Sequence, residues 1–262
     1  MAQRSFVIQS ATIHGVEALP VFVEVVISSG IPSFSIVGMA DATIMESRER
    51  VKAALRASGF VMPTDKIVVN LAPGALRKTG SGFDLPIALG ILAATGQINP
   101  EWVVGALVVG ELSLSGAVRA NVGMLAYQKC ALEHGWDIVT GIAERGFFSL
   151  EGVTCHILER LAHIRTGSFV AGRSFVSEPL NESLDYSEVL GHEAAKRALQ
   201  VAAAGNHGVL MVGPPGSGKT MLAQRFVTIL PDLNKVQKIE AALVHSVAGE
   251  DISSLLSGRR PF

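Results

Sequence analysis

The residues most able to do chemistry form one short run, Gly213-Pro-Pro-Gly-Ser-Gly-Lys-Thr220. It fits the pattern G-x-x-x-x-G-K-[ST] at every position. In such a loop, glycines at 216 and 218 allow backbone angles that turn successive N–H groups toward an anion. Lys219 would reach the β- and γ-phosphates of a nucleotide, and the Thr220 hydroxyl would bind Mg²⁺. The run therefore predicts an ATP and Mg²⁺ site built from Gly213, Pro214, Pro215, Gly216, Ser217, Gly218, Lys219 and Thr220.

A phosphate-binding loop needs a strand before it and a helix after it, and the flanking sequence predicts both. "GVLMVG" from Gly208 predicts a buried strand, and "KTMLAQRFVTIL" from Lys219 predicts a helix that Pro231 ends. The positive end of that helix would add to the attraction for phosphate. A further helix should precede the strand, with one face made of Ala195, Ala198, Leu199, Ala202 and Ala203.

Hydrolysis requires more than a phosphate-binding loop. It needs a carboxylate for the metal and the water, usually in an Asp-Glu pair after an apolar strand, and commonly an arginine from a neighbour. The acidic pair near the loop, Glu250-Asp251, follows a glycine and no apolar strand, so we interpret it as a surface turn. We expect the chain alone to bind ATP·Mg²⁺ weakly or not at all, and to turn it over negligibly. No catalytic residue is assigned.

The sequence before the loop alternates between strand-like and helix-like segments, which predicts a compact α/β domain over residues 1–166. A polar stretch without sustained periodicity, residues 167–187, is interpreted as a linker. Residues 188–262 form a second α/β unit. Within the first domain, strands are expected to begin at Val21, Ser33, Lys66 and Asp137, and two more joined strands are expected in "WVVGALVVGELSLSGAV". Three helices are expected: one from Asp41 to about Ser58, one that begins at Asp84, and one that ends at Gly135.

Composition limits the class of protein. Apolar residues make up 48% of the 262, and the net charge of −1 provides no general attraction to nucleic acid or to an anionic membrane. Cys130 and Cys155 fit no metal or redox spacing, which favours a reduced cytoplasmic protein. The N-terminus lacks the apolar core of a signal peptide, and the longest uncharged stretches are too short to span a bilayer.

Two weaker patterns have ordinary interpretations. Arg48, Lys52 and Arg56 lie four residues apart and form a basic stripe on the first helix, most simply a solvated surface. His192 and His207 flank the helix before the loop and are interpreted as structural residues, since the histidines show no metal-ligand spacing.

Four stretches together resemble the YifB/ComM family of magnesium-chelatase-like AAA+ ATPases. They are "DATIMESRERVKAALRASGF", "NLAPGALRKTGSGFDLPIALGIL", "GHEAAKRALQVAAAGNHGVLMVGPPGSGKTMLA" and "HSVAGE". The resemblance covers essentially the whole chain. It implies a Lon-protease-domain-like fold for the first domain, followed by the first part of an AAA+ module that forms a homohexamer when complete. It also implies ATP-driven branch migration on recombining DNA in natural transformation.

The Lon likeness calls for a test of peptidase chemistry, in which a lysine serves as the base for a serine hydroxyl. In "KTGSGFD", Gly82 falls at the serine position, and in "GELSLSGAVRANVGMLAY" Leu125 falls at the lysine position. Both members of the dyad are therefore missing. Ser81 lies one residue out of register and Lys129 one helical turn beyond Leu125, which leaves only a displaced dyad. "RKTGSGFDL" is interpreted as a tight turn into a packed helix, with Arg77 and Lys78 available to a phosphate-bearing partner.

Three alternatives to a DNA-remodelling ATPase remain open at this point. One is the ATPase subunit of a chelatase that inserts Mg²⁺ or Co²⁺ into a tetrapyrrole. Another is a non-enzymatic interaction domain with a remnant phosphate loop. The last is a serine-lysine peptidase that uses Ser81.

Overall fold

The computed structural model describes residues 3–143, 149–172, 184–258 and 260–261. These residues divide into two compact units. The first holds the described residues up to 172 together with Leu243–Glu250, and the second holds those from 184 to Ala242 and from Asp251 onward. Residues 173–183 of the expected linker lie outside the described residues, so the boundaries at 166 and 188 stay predictions.

A mixed eight-stranded sheet forms the centre of the first unit, with strand order β10-β9-β8-β5-β1-β2-β4-β3. Four neighbouring pairs are parallel and three are antiparallel, β1–β2 being the longest antiparallel pair. A separate pair, β6–β7, is a short hairpin. The strands are β1 (Arg4–His14), β2 (Glu17–Ser28), β3 (Ser33–Val37), β4 (Lys66–Ala72), β5 (Ala106–Val108), β6 (Glu111–Leu112), β7 (Val118–Arg119), β8 (Asp137–Thr140), β9 (Cys155–Ile157) and β10 (Val170–Ala171).

The central strands have one buried face. On β2, Val21, Val23, Val25 and Ile27 are buried, whereas Phe22 between them is 39% exposed. This period of two is the pattern expected for a strand with a single covered face.

Helix α1 (Ala42–Ala57) begins and ends where the sequence predicts. The Asp41 carboxylate accepts a hydrogen bond from the backbone N–H of Ile44 at 2.9 Å, and Gly59 follows the helix with φ of +73°. Its buried face consists of Ile44, Ser47, Val51, Ala54 and Leu55, which lie three or four residues apart along one side of the helix.

Helix α2 (Asp84–Ala94) is covered by protein on nearly all sides, since every residue from Asp84 to Leu92 is buried. It packs against β1 and β2, and α1 packs against it. Gly90 makes the close approach possible, because a Cβ there would lie 2.6 Å from a methyl carbon of Val25. Helix α3 (Met124–His134) packs against β1, β2 and β8 and ends at Gly135, as predicted.

The segment "WVVGALVVGELSLSGAV" differs from the expected pair of joined strands. Only Ala106–Val108 enters the main sheet, and the chain leaves it at Gly110. There the backbone N–H of Gly110 donates to the Gly82 carbonyl, and the Gly110 carbonyl accepts from Leu85, each at 3.0 Å. These bonds connect Gly110 to the start of α2 instead of to a neighbouring strand. The chain after Gly110 then forms the separate hairpin β6–β7.

The second unit contains α4 (Glu193–Gly205), α5 (Lys219–Phe226) and α7 (Ser253–Ser257), and α6 (Lys235–Val247) begins in it. Its small core is made of Tyr186, Val189, Leu199 and Leu222. On α4, Leu199, Ala202 and Ala203 are buried as predicted, whereas Ala198 is exposed. Taken over both units, the described residues confirm the predicted α/β class, but those of the second unit form helices and no strand, so the expected α/β character of that unit is not seen. None of the described helices combines the length and apolarity needed to cross a bilayer.

Candidate functional site

Two contacts anchor the helices that flank the phosphate-loop motif. The Tyr186 hydroxyl donates to the Lys196 carbonyl on α4 at 2.8 Å, and Arg225 on α5 pairs with Glu188 at 2.8 Å. Tyr186 and Glu188 belong to the same short turn, Tyr186–Glu188. One turn of chain therefore holds both helices.

The loop has the backbone conformation that the motif predicts. Gly216 and Gly218 have φ of +79° and +77°, a region that favours glycine, and α5 begins immediately after Gly218. Among the described residues, no acceptor receives the backbone N–H groups of Gly216, Gly218, Lys219 and Thr220. Such free amides at the start of a helix are suited to an anion, because each N–H and the helix dipole favour negative charge.

Lys219 closes over the loop. Its ammonium group donates to the carbonyls of Gly213 at 2.8 Å and Pro214 at 2.7 Å, and to the hydroxyl of Ser217 at 3.2 Å. In the described part of the chain it makes no ion pair, and its side chain is only partly buried. The cation is therefore held by neutral groups that a phosphate can replace.

The rest of the motif is open. Pro214, Pro215 and Thr220 are exposed, so the Thr220 hydroxyl is available for a metal ion. The loop residues thus fit Mg·ATP by donor chemistry: free amides, one cation and one hydroxyl.

The strand predicted before the loop is not formed. Residues 207–214 have no assigned secondary structure, and Leu210 and Val212 are each 88% exposed. A strand exists only when a neighbour accepts its hydrogen bonds. The described residues of the second unit supply no such neighbour, so the apolar run is not paired as a strand.

The acidic pair near the loop behaves as the turn that the sequence predicts. Asp251 accepts hydrogen bonds from the backbone N–H and the hydroxyl of Ser253, and Glu250 contacts His245. In the described residues no carboxylate bonds to Lys219 or Thr220.

The glycine-rich turn of the first unit does not present both of its basic residues. Arg77 is exposed, but Lys78 is fully buried and donates to the carbonyls of Gly38 at 3.1 Å and Pro73. Burial lowers the pKa of Lys78. The expectation that Lys78 faces a phosphate-bearing partner is therefore wrong, since its head group ties two loops together.

The displaced peptidase dyad is not assembled either. The Ser81 hydroxyl donates to Glu111 at 2.9 Å, and Lys129 lies 3.8 Å from both Glu17 and Glu133. Gly82 and Leu125, at the dyad positions, are buried. Each displaced residue thus has other partners.

Sequence reasoning missed the ion pair that is most buried among the described residues of the first unit. Arg50 donates two hydrogen bonds to Asp84, at 2.6 and 3.0 Å, and Asp84 also accepts from the backbone of Leu112 at 3.2 Å. Burial raises the pKa of Asp84, an effect that Arg50 opposes. Their separation of 34 residues leaves no local signal, because the pair lies on two different helices.

Other sequence candidates have structural roles. Arg48 donates to the backbone carbonyls of Met45 and Phe34, and Lys52 pairs with Glu49, so most of the basic stripe is engaged locally. Burial raises the pKa of the Cys130 and Cys155 thiols to about 11, which leaves both protonated and unreactive near neutral pH. No group of three or more metal-ligating side chains occurs among the residues that the structure describes.

Comparison with known proteins gives matches along most of the chain. Residues 23–140 match the family model for subunit ChlI of Mg-chelatase, and residues 185–262 match that for magnesium chelatase, subunit ChlI. The uncharacterized protein YifB of Escherichia coli is 38% identical over 258 residues, 95% of this chain and 50% of the relative. The competence protein ComM of Haemophilus influenzae is 34% identical over 267 residues, 98% of this chain and 52% of the relative.

An uncharacterized protein of Mycobacterium tuberculosis is 36% identical over 259 residues, 96% of this chain and 50% of the relative. The chain spans about half the length of these curated relatives. Both family models describe the same chelatase subunit, and the relatives match across both units. The chain therefore belongs to the YifB/ComM family of magnesium-chelatase-like AAA+ ATPases.

Proposed function

We propose that the loop Gly213–Thr220 binds ATP with Mg²⁺. The observation that carries this proposal is the set of unpaired amides at Gly216, Gly218, Lys219 and Thr220, at the start of α5. Unpaired amides cost little where water reaches them, and they become strong donors when a phosphate replaces the water.

Lys219 would exchange its present partners for phosphate oxygens. Leaving the Gly213 and Pro214 carbonyls exposes them to water rather than burying them, because both residues are exposed. A charge-assisted bond to phosphate is stronger than a bond to a neutral carbonyl, so the exchange is favourable. Thr220 would supply its hydroxyl to Mg²⁺.

For the whole protein we propose an ATP-driven motor that acts on DNA, as a homohexamer in the cytoplasm. The support is the similarity to the competence protein ComM, which extends over both units of this chain. The activity we propose is branch migration or strand separation during recombination and natural transformation.

A binding experiment tests the loop directly. Isothermal titration of the 262-residue chain with Mg·ATP up to millimolar concentrations is expected to show weak binding. Lys219→Ala should reduce the affinity by about tenfold or more, because a bond between charged groups contributes about 1.5–3 kcal/mol. Lys238→Ala, a charge removed from α6, is the matched control and should bind as the parent does. Equal affinity of Lys219→Ala and the parent would indicate a remnant loop in an interaction domain.

A chelatase subunit is the second candidate, because both family models carry that description. In that case ATP turnover would drive insertion of Mg²⁺ or Co²⁺ into a tetrapyrrole. Stimulation of a reconstituted chelatase reaction by the full-length protein would support this candidate. ATP-dependent unwinding of a branched DNA substrate without such stimulation would support the DNA motor.

A further inference from the structure

Strand β3 forms one edge of the large sheet and carries no protective residue. It is the last strand in the order, and among the described strands it pairs only with β4. An edge strand presents unpaired backbone N–H and C=O groups, and proteins usually shield such an edge with a charged residue, a proline or a bulge. None of the five residues of β3, "SFSIV", is charged or is a proline. Its backbone is therefore able to accept a further strand.

The side chains of β3 alternate between the two faces of the sheet. Phe34 and Ile36 pack into the core on the face that α1 covers, and the Lys52 ammonium group lies 6.0 Å from the centre of the Phe34 ring. Val37 belongs to the opposite face and is exposed. An added strand would alternate in the same way, so half of its side chains would lie beside α1 and half on the open face.

The α1 side of this edge carries the basic stripe. Arg48 donates to the Phe34 carbonyl at 3.5 Å, which is long for a hydrogen bond, and Arg56 is exposed. A carboxylate is a stronger acceptor for a guanidinium group than a carbonyl is, and the exchange would release the Phe34 carbonyl for a backbone N–H. Lys52 already pairs with Glu49, so Arg48 and Arg56 are the cations best suited to a carboxylate partner.

The open side of the same edge is apolar. Val37 is exposed there, and Ile31 and Met39, each two residues beyond an end of β3, are also exposed. Apolar side chains on this side of an added strand would remove these residues from water, which is favourable. The edge therefore calls for different side chains on the two faces of its partner.

We propose that β3 binds an extended peptide segment of a partner protein, in which acidic and apolar side chains alternate. The acidic side chains lie along the basic stripe, and the apolar ones cover Val37. A second copy of this chain does not fit, because pairing of β3 with β3 brings two basic stripes together. A DNA duplex would match the charge but leave the backbone of the edge unpaired. The proposal concerns the first unit and does not depend on nucleotide binding by the loop.

The test uses a fluorescent synthetic peptide of about eight residues, long enough to span β3, in which glutamate and valine alternate. Fluorescence anisotropy with the 262-residue chain, without nucleotide, is expected to show saturable binding. A peptide with lysine in place of glutamate should bind more weakly. N-methylation of the amides of one residue type should abolish binding, whereas N-methylation of the other should not, because only every second residue of an added strand bonds to the edge.

Arg56→Glu should weaken binding of the glutamate peptide by about fivefold, because an attraction becomes a repulsion, and should strengthen binding of the lysine peptide. Arg56 is exposed, so thermal unfolding of this variant should match that of the parent. Arg197→Glu is the matched control, since it makes the same change in charge at an exposed position of α4. It should bind both peptides as the parent does.

Absence of saturable binding of the glutamate peptide to the parent chain would overturn the proposal. Binding that survives N-methylation of either residue type would also overturn it, since the peptide backbone would then not be used. Binding of a DNA duplex that Arg56→Glu weakens, without binding of the peptide, would assign the basic stripe to nucleic acid instead. None of these results bears on the phosphate loop, which Lys219→Ala tests separately.

Discussion

At the scale of single residues, the Arg50–Asp84 pair has the largest expected effect on stability. Asp84 is fully buried, whereas the Arg50 side chain is 20% exposed. The pair joins α1 to the start of α2, the helix that follows the glycine-rich turn. Removal of one partner would leave an uncompensated charge in the interior.

Arg50→Met should therefore destabilise the first unit by about 3 kcal/mol at pH 7, measured by urea unfolding. Burial already raises the pKa of Asp84, and loss of Arg50 removes an effect that lowers it. A carboxyl whose folded pKa is raised contributes stability when protonated and loses it as pH rises through that pKa. The cost of Arg50→Met should consequently shrink as pH falls from 7 toward 5.

The control for this substitution is Lys52→Met, which breaks an exposed pair with Glu49 on the same helix. Exposed pairs contribute little, so its stability should match the parent at both pH values. A cost of Arg50→Met that does not depend on pH would show that packing, rather than charge, makes Arg50 important.

At the scale of elements, the start of α1 depends on both oxygens of Asp41. One accepts from the backbone N–H of Ile44 at 2.9 Å, and the other accepts from Gly80 at 3.2 Å. Asp41→Ala should cost about 1–2 kcal/mol, because it removes a helix cap and a link to the glycine-rich turn. Asp41→Asn keeps one acceptor oxygen, so its loss of unfolding free energy, measured by urea unfolding, should be smaller than that of Asp41→Ala. Identical losses would show that the acceptor oxygen kept by Asp41→Asn contributes nothing to stability.

The contact between α2 and β2 depends on Gly90. In an isolated helix, alanine would be better than glycine by about 1 kcal/mol. Here the new methyl group would lie 2.6 Å from a Val25 methyl carbon, so Gly90→Ala should instead destabilise by about 1–3 kcal/mol. Adding Val25→Ala should make the effect of Gly90→Ala less unfavourable, as measured by a double-mutant cycle. Additive losses would argue against a direct clash.

At the scale of the whole molecule, the loop and its supporting contacts all belong to the second unit. ATP binding should therefore slow amide hydrogen exchange in residues 213–222 and leave exchange in α2 of the first unit unchanged. Hydrogen exchange with mass spectrometry, with and without Mg·ATP, measures this directly. The Lys219→Ala chain is the control and should show no ATP-dependent protection. Protection that spreads through α2 would reveal coupling between the units.

Turnover also belongs to the whole molecule. Glu250 and Asp251, the acidic pair considered from the sequence, contact His245 and Ser253, so we predict that the 262-residue chain releases negligible phosphate from ATP. Robust release that Lys219→Ala abolishes would contradict this expectation.

Local sequence determined the features that depend on neighbours along the chain. The cap at Asp41, the alternation on β2, the glycine after α3 and the positive φ angles at Gly216 and Gly218 all follow from residue type and spacing. Each is set by backbone sterics or by hydrogen bonds within a few residues. The phosphate-loop motif belongs to this class, which explains why its conformation could be predicted.

Only tertiary structure decided the features that need a distant partner. The run Gly208–Gly213 is apolar enough for a buried strand, yet it stays exposed without a neighbouring strand in the described second unit. Lys78 is basic enough for a surface, yet it is buried and donates to the carbonyl of Gly38, 40 residues away, as well as to that of the nearby Pro73. Arg50 is paired with Asp84, which is 34 residues away in the sequence, and His192 lies beside Gly218. Both contacts result from tertiary packing, which no local sequence pattern encodes. Strand pairing, burial of charge and contacts between helices all depend on which segments meet, and one-dimensional spacing carries little information about that.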